Sequence, residues 1–455
     1  MNLIHHRAER SSSALLLTAC ALGFAITLMA YFPGLMSPDS EDQLMQATSF
    51  VFRDWHPPIM ALLWSPILKL HDGPIGILML FSALYWVAFA CMAIAVAVRS
   101  RVASWLLVAI AASPMMINFV GTIWKDVFVT VFFLAGLAFL VRAHYRGAPI
   151  RRRTAALLTL LFAAAALARH NSIFSGAALT ALAWLQTSAS GKPPLATILR
   201  RAAAGALLYA TAFALLFIGV EAITRAEKTH PASALFVYDL IGMSIRSNEW
   251  LLPKVPGFTL QRLPTCYEDK GWDLIWLKCP QMLDTLRSDG DWQKLGTFWL
   301  AAIAKHPVTY LRHRASYTKS MFRKAWLPFN ADVSDSSRKF GFSAGGAFTG
   351  MKAYVEGTAN APLLGILFVC GFWIVLNTLS STALAVVFWR HRDLETTFPL
   401  LVSLSGLLYI APLTLAGVAP DFRYVYWGVA ATLISGALFV AQRQPRPEPA
   451  VQQHD

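Results

Sequence analysis

Acidic side chains are few in this chain. Only 25 of its 455 residues are Asp or Glu, and charged residues of both signs make up 14%. Soluble globular domains carry about 25%, so a soluble enzyme or binding module is excluded. Cysteine is scarce too, with five residues and no Cys/His pair at zinc-finger spacing, which leaves no structural zinc site. No tandem repeat is present. The centres of the longest apolar runs hold almost no ionisable residue. A transporter would be expected to place ionisable or broken elements near the midplane.

What fills the chain instead is apolar sequence, at 56% of residues. Runs long enough to cross about 30 Å of hydrocarbon recur along it. The expected fold is an all-α polytopic membrane protein with about ten spans: 14–32, 75–98, 102–119, 125–143, 154–169, 172–188, 201–222, 361–389, 396–417 and 424–442. The first follows a basic flank, as in a signal peptide. It runs into Tyr31-Phe32-Pro33-Gly34 rather than a small-residue cleavage site, and reads as a retained helix.

On this topology the net charge of +14 divides unevenly. The termini and the turns near Arg99, Arg142–Arg153, Lys192–Arg201 and Arg390 hold 16 basic and 5 acidic residues, against 23 and 20 on the other face. That is the positive-inside bias. It implies a multi-pass membrane protein with both termini cytoplasmic, and it makes the charge a report of orientation, not of a nucleic-acid partner.

The expected organisation is then a transmembrane module over 1–222 with an outer loop at 33–73, an extracytoplasmic α-rich domain over 223–360, membrane helices over 361–442, and a disordered tail over 443–455. In the first loop Ser37 caps a helix with Pro38 at its first position and Asp39, Glu41 and Asp42 in its first turn. If the helix continues to about Phe52, then Leu44, Ala47 and Val51 form an apolar stripe. Asp39, Asp42, Gln43 and Gln46 share the opposite side, facing a polar cleft. The run Ile59–Leu70 gives roughly 18 Å of helix, too short to span, and reads as half-inserted or surface-packed. In the outer domain two apolar helical runs flank His306-Pro307, and Asn330–Gly350 reads as a mobile loop. Cys266 and Cys279 are the only cysteines on that side and are expected to pair. Cys20, Cys91 and Cys370 read as small core residues.

Unusual polar residues gather at one membrane face: Asp39, Asp42 and Gln43; Asp54 and His56; Lys125 and Asp126; Arg169, His170 and Asn171; Tyr238 and Asp239; Asp421 and Arg423. Ser37-Pro38-Asp39-Ser40 with Gln43, Trp55-His56-Pro57-Pro58, Trp124-Lys125-Asp126, Arg169-His170-Asn171 and His306-Pro307-x-x-Tyr310-Leu311 together resemble bacterial integral-membrane glycosyltransferases of the GT-C superfamily. The resemblance follows the order of elements over most of the chain, while its sharp motifs occupy about a tenth of it. It implies a GT-C-like helical bundle and a hexosyl or pentosyl transfer. The sugar would pass from a polyprenyl-phosphate carrier to a cell-envelope glycan, glycolipid or protein, with an acidic residue of the first outer loop as base. Many members carry adjacent acids. Here Asp39 precedes Ser40, and Glu41-Asp42 supplies the pair slightly later, so the base lies between Asp39 and Asp42.

The chemistry suits these residues. A sugar on a lipid phosphate has a good leaving group, so the demand is for a carboxylate to take the acceptor's proton and cations to hold the phosphate. Lys125, Arg169 and Arg423 are the candidate phosphate holders, and Gln43, His56, Asp126 and Asn171 the further substrate contacts. Asp39, Asp42 and Asp126 could also offer oxygen ligands to Mg²⁺ or Mn²⁺. Plainer readings stand beside these. Asp39 can be a first-turn helix acid, Trp124-Lys125 an interfacial anchor, Arg169 the structural partner of Asp126, and His56 a shaper of its loop. The basic face of Arg312, Lys319 and Arg323 can be a solvated or headgroup-binding surface. An O-antigen ligase or polymerase remains the alternative enzyme class, and a lipid or glycan transporter the non-enzymatic one.

Overall fold

A computed structural model describes residues 2–188, 193–323 and 334–444, with side chains from Ser12 onward. Among them there is no β-strand, only helices and short 3₁₀ turns. The first half comprises α1 (Asn2–Tyr31), α2 (Pro38–Ser49), α3 (Ile59–Leu68), α4 (Ile75–Ala97), α5 (Arg101–Ala112), α6 (Pro114–Val120), α7 (Lys125–Arg146), α8 (Arg152–Ala166), α9 (Ile173–Leu185) and α10 (Leu195–Thr224). The stretch proposed as an inserted domain follows with α11 (Ser233–Ser247), α12 (Asp273–Lys278), α13 (Pro280–Ser288), α14 (Leu295–Lys305), α15 (Pro307–Ser320), α16 (Asp335–Lys339) and α17 (Gly346–Asn360). The last helices are α18 (Cys370–His391), α19 (Leu394–Ala416) and α20 (Tyr426–Gln442).

Among the described residues, seven helices are long and apolar enough to cross a membrane: α1 from Ser12, α4, α7, α10, α18, α19 and α20 with its lead-in from Phe422. The pair α5–α6, bent by 51°, makes an eighth if taken as one broken span. This corrects the expectation of ten. The segments expected at 154–169 and 172–188 form helices of 15 and 13 residues, about 20 Å each and short of the hydrocarbon thickness. The span expected from 361 starts at Cys370, because Leu364–Phe368 winds into a 3₁₀ turn. The tail expected over 443–455 lies outside the described residues from 445 onward.

Local sequence sets the site end of the bundle. Ser37 caps α2 in a reciprocal box with Ser40, and Pro38 stands at its first position. The helix stops at Ser49, where Phe50 takes a left-handed conformation with φ of 58°. Leu44 and Ala47 are buried as expected of an apolar stripe, but Val51 falls beyond the helix and is exposed. Ser40 Oγ donates to the Ile123 carbonyl at 2.6 Å, and Leu35 exchanges backbone bonds with Gly121 and Ile123. These bonds fasten α2 beside the start of α7. Gly121 lies against the Tyr31 ring so closely that no side chain fits there.

The inserted domain is tied to both halves. Asp54 accepts from Thr229 N at 2.6 Å and Oγ1 at 2.7 Å. Trp272 N donates to Val418 O at 2.9 Å, Arg314 Nη1 to Gly417 O at 2.7 Å, and Tyr317 Oη to Ala419 O at 3.0 Å. Cys266 and Cys279 are joined as a disulfide with their Cα atoms 5.7 Å apart. The mobile loop expected over Asn330–Gly350 differs from Ser334 onward; 330–333 lie outside the described residues. Ser334 caps α16, Ser337 Oγ donates to Met36 O at 2.9 Å, and Ser336 and Lys339 both reach Glu41. Its serines, read from sequence as loop formers, are spent on the backbone that leads into α2.

Candidate functional site

Four separate parts of the chain meet at the end of the bundle beneath the inserted domain. From α2 comes Asp39. Its Oδ2 accepts from Arg423 Nη1 at 3.2 Å, and its Oδ1 stands 3.7 Å from His56 Nε2. From the start of α7 comes Lys125, whose Nζ lies 2.9 Å from His56 Nδ1. An ammonium has only hydrogens to give. Nδ1 therefore accepts, and the ring hydrogen is assigned to Nε2, on the side of Asp39.

Arg423 is held on three sides. Its guanidinium stacks over Trp124 at 4.5 Å, its Nε donates to Asp421 at 3.3 Å, and its Nη2 donates to Tyr424 Oη at 3.3 Å. Trp124 is buried and donates from Nε1 to Ser37 Oγ at 2.8 Å. That excludes its reading as an interfacial anchor, and makes it the platform on which the arginine rests.

The charges set each other's protonation. Burial would push the Asp39 carboxyl up, but the charges of Arg423 and Lys125 outweigh it and bring the pKa down to about 2. Burial, reinforced by Lys125, takes His56 down to about 3 against the pull of Asp39, so this imidazole is neutral at neutral pH. The contact between His56 and Asp39 is then a dipole facing a carboxylate, not an ion pair. Burial raises Asp421 and also Asp273, which approaches the cluster from the inserted domain.

Asp39 and Asp42 open onto a cavity of about 750 Å³. Its walls include Trp55 and His56 from the first loop, Thr229 and His230 after α10, and Arg287 and Trp292 from the inserted domain. Asp42 is bonded by its own helix, from Gln46 Nε2 at 2.6 Å. Lys125, Arg169 and Arg423 do not line this cavity. Asp39 thus stands between an open cleft on one side and a cluster of cations on the other.

Three expected substrate contacts sit elsewhere. Asp126 is fully buried and takes both 2.8 and 2.9 Å contacts from Arg169 Nη1. Arg169 also donates from Nε to Asn171 at 3.0 Å and lies 4.2 Å over the Tyr424 ring. Asn171 in turn donates to Tyr409 O at 3.0 Å. This chain braces the α8–α9 turn against α7 and α19. Gln43 is buried, with its Nε2 3.4 Å from Asp39 O and its Oε1 unpartnered among the described residues. His170 is exposed beside the group. The divalent-cation set does not form either. Asp39, Asp42 and Asp126 are each committed to a different side chain, and no three His, Cys, Asp or Glu converge as ligands among the described residues.

Sequence reasoning passed over Trp292, Thr229 and Arg287 as wall residues, and over Asp273. It also missed a second buried cluster in the inserted domain. There fully buried Asp239 pairs with Arg314, and takes contacts of 2.8 Å from both His313 Nε2 and Trp299 Nε1. The available signal was an acid, Asp239, beside Tyr238 in the middle of a largely apolar helix.

No family model matches the chain, and no curated protein matches it. Two solved structures show a weak likeness. One is the archaeal oligosaccharyltransferase AglB from Archaeoglobus fulgidus in complex with an inhibitory peptide and a dolichol-phosphate, 12% identical, with a TM-score of 0.38. The other is the oligosaccharyltransferase of Archaeoglobus fulgidus in the apo form, 12% identical, with a TM-score of 0.34. Each match covers 93% of this chain and 50% of the other, so the chain spans about half the length of both. A likeness at this level bears on no activity.

Proposed function

We propose that this protein is a GT-C-type glycosyltransferase. It would move a sugar from a polyprenyl-phosphate carrier to a hydroxyl of a cell-envelope glycan, glycolipid or protein, at the extracytoplasmic face of a bacterial inner membrane. The observation that carries the reading is the position of Asp39: a third exposed toward the cleft, with Arg423 behind it and Lys125 one residue away through His56.

In this reading the acceptor hydroxyl enters through the cleft and the lipid phosphate arrives on the cation side. The acceptor oxygen forms a bond to the anomeric carbon while the carbon–phosphate oxygen bond breaks. The bonding pair leaves with the phosphate, and the acceptor proton passes to Asp39. A carboxylate near pKa 2 is a weak base at neutral pH. Arriving phosphate competes for Arg423, and as that guanidinium turns to the developing anion, Asp39 loses its strongest acidifying neighbour and becomes more basic. Donor binding would thus prepare the base. Lys125 adds positive charge at the same place, and Trp55 offers an aromatic face for a sugar ring along the cleft.

The experiment is mass spectrometry of envelope glycans from cells with and without the gene, complemented by wild type or by Asp39→Asn. A glycan that loses one hexose or pentose without the gene, and regains it only with wild type, supports the reading. Identical glycans in all strains, with the protein present, sink it.

A further inference from the structure

From Leu295 to Arg323 the chain has no acidic residue, while Lys305, Arg312, Arg314, Lys319 and Arg323 are basic. This stretch is the α14–α15 hairpin, folded at the His306-Pro307 corner. Arg314 is used internally, buried against Asp239, and Lys305 pairs with Glu249. Among the described residues the side chains of Arg312, Lys319 and Arg323 have no ion pair or hydrogen bond.

The exposed side of the hairpin is apolar to a degree that water does not favour. Leu300 is 63% exposed on α14, and Val308 and Leu311 are 59% and 64% exposed on α15. Just past the helix end Phe322 is 51% exposed. At roughly 100° per residue, Arg312 and Lys319 stand two turns apart on one line of α15, and Arg323 follows just past its end. Val308, Leu311 and Ala315 fill the strip about 40–100° to one side of that line. An apolar strip bordered by a basic row, with acids excluded, is the layout of a helix lying in a lipid–water interface.

Position agrees with pattern. Gly371, at the start of the α18 span, donates from its backbone N to Met321 O at 2.8 Å, and Phe322 packs on it. Thr318 reaches Thr414, near the end of the α19 span, at 3.4 Å. The last turn of α15 is therefore clasped to the mouths of two membrane helices, and its exposed strip is continuous with their surface.

We infer that the α14–α15 hairpin rests in the bilayer leaflet on the domain side. Its apolar strip lies among acyl chains, and Arg312, Lys319 and Arg323 lie on the phosphates of anionic lipids. The inference is independent of the proposed chemistry and extends the membrane contact from the spans to the inserted domain. It places that domain half-sunk beside the site, where a lipid-borne substrate would arrive.

The test uses the full chain in nanodiscs of phosphatidylcholine and phosphatidylglycerol in equal parts, with Cys20, Cys91 and Cys370 replaced by alanine. A bimane label is placed at Leu311→Cys, at Leu300→Cys as a second site, and at exposed Asp284→Cys of α13 as the aqueous reference. Brominated acyl chains should quench Leu311 and Leu300 strongly and Asp284 hardly at all, with the reverse order for iodide. The combined variant Arg312→Gln, Lys319→Gln, Arg323→Gln should retain about fivefold less phosphatidylglycerol on purification than wild type, with Arg287→Gln unchanged. Quenching of Leu311 and Leu300 by iodide as strong as at Asp284 would put the strip in water. No quenching by either agent would mean a protein partner covers it. Undiminished phosphatidylglycerol in the triple variant would remove the basic row from the lipid. Any of these overturns the inference.

Discussion

Arg423 reaches back across 384 positions to donate to Asp39 at 3.2 Å, and it does so from a stacked seat on Trp124. One guanidinium therefore holds the candidate base ionised, and it is also the phosphate contact we propose. Its loss should be felt in the reaction more than in folding, since Asp39 keeps a third of its side chain in contact with solvent. Arg423→Gln is expected to lower kcat/KM for transfer by about 10²-fold, the scale of removing one donor to developing charge. Its yield and detergent stability should stay near wild type. Arg423→Lys should recover only part of the loss, because the compact ammonium cannot hold Asp39 and Asp421 together while stacking. Wild-type turnover in Arg423→Gln would take the arginine out of the site.

The pair Asp126–Arg169 makes the opposite prediction. Asp126 is fully buried and Arg169 nearly so. Removing one member strands a buried charge, at a cost of about 3–5 kcal/mol. Asp126→Asn or Arg169→Gln should each lower the folded fraction recovered in detergent, and the double variant should be less damaged than either single one. Normal recovery of both single variants, with transfer abolished, would instead make the pair part of the reaction.

His56 gives the protein a pH signature. Its folded pKa is about 3 and its unfolded value near 6.5, so the unfolded chain binds the extra proton first as pH falls. The neutral ring's contribution is present above pH 6.5 and lost progressively between 6.5 and 3. The groups that face it are Lys125, Asp39, Arg423 and Arg169. Thermal unfolding of detergent-solubilised protein should fall more steeply across that window in wild type than in His56→Gln. Parallel curves would show that His56 does not titrate as described.

The Cys266–Cys279 bridge closes a short loop that itself carries Asp269 and Asp273. Loop-closure entropy sets its worth at about 3 kcal/mol. Cys266→Ser with Cys279→Ser should unfold at lower temperature than wild type under non-reducing conditions, and peptide mapping should recover the two cysteines linked. Free thiols at both positions in native protein would dispose of the bridge.

How far the sequence reached depended on separation along the chain. Ser37, Pro38 and the acids of α2 act within one turn, so the cap and the helix start were legible. So was the hairpin corner at His306-Pro307, where a proline cannot continue the preceding helix. Arg169 could be read as the structural partner of Asp126, but only packing could show that it is. The contact of Arg423 with Asp39 was out of reach, because nothing local says that the α19–α20 turn closes over α2. Hydropathy likewise overcounted spans. Residues 154–188 are apolar enough to read as two crossings, yet they break at Arg169 to satisfy Asp126 and Asn171, leaving helices too short for the bilayer. Ser334–Lys339 reads as a loop because serine's preference for backbone bonds is visible, but the backbone it chooses, at Met36, is not.

The remaining prediction concerns the identity of the base. Asp39→Asn preserves size and helix start while removing the ability to accept a proton. If Asp39 is the base, turnover should fall by about 10²-fold or more, with normal membrane insertion and little change in donor binding. If Asp39 only favours the helix dipole, the same change should cost under about 1 kcal/mol of stability and leave transfer intact. Asp42→Asn is the matched control, because Asp42 lines the same cavity but has Gln46, not Arg423, as its bonded neighbour. A dead Asp42→Asn beside an active Asp39→Asn would move the base along the helix and make the Arg423 contact a structural clasp. Wild-type turnover in both would remove acid–base chemistry from α2, and the capped helix would then be a wall of the cleft rather than its working edge.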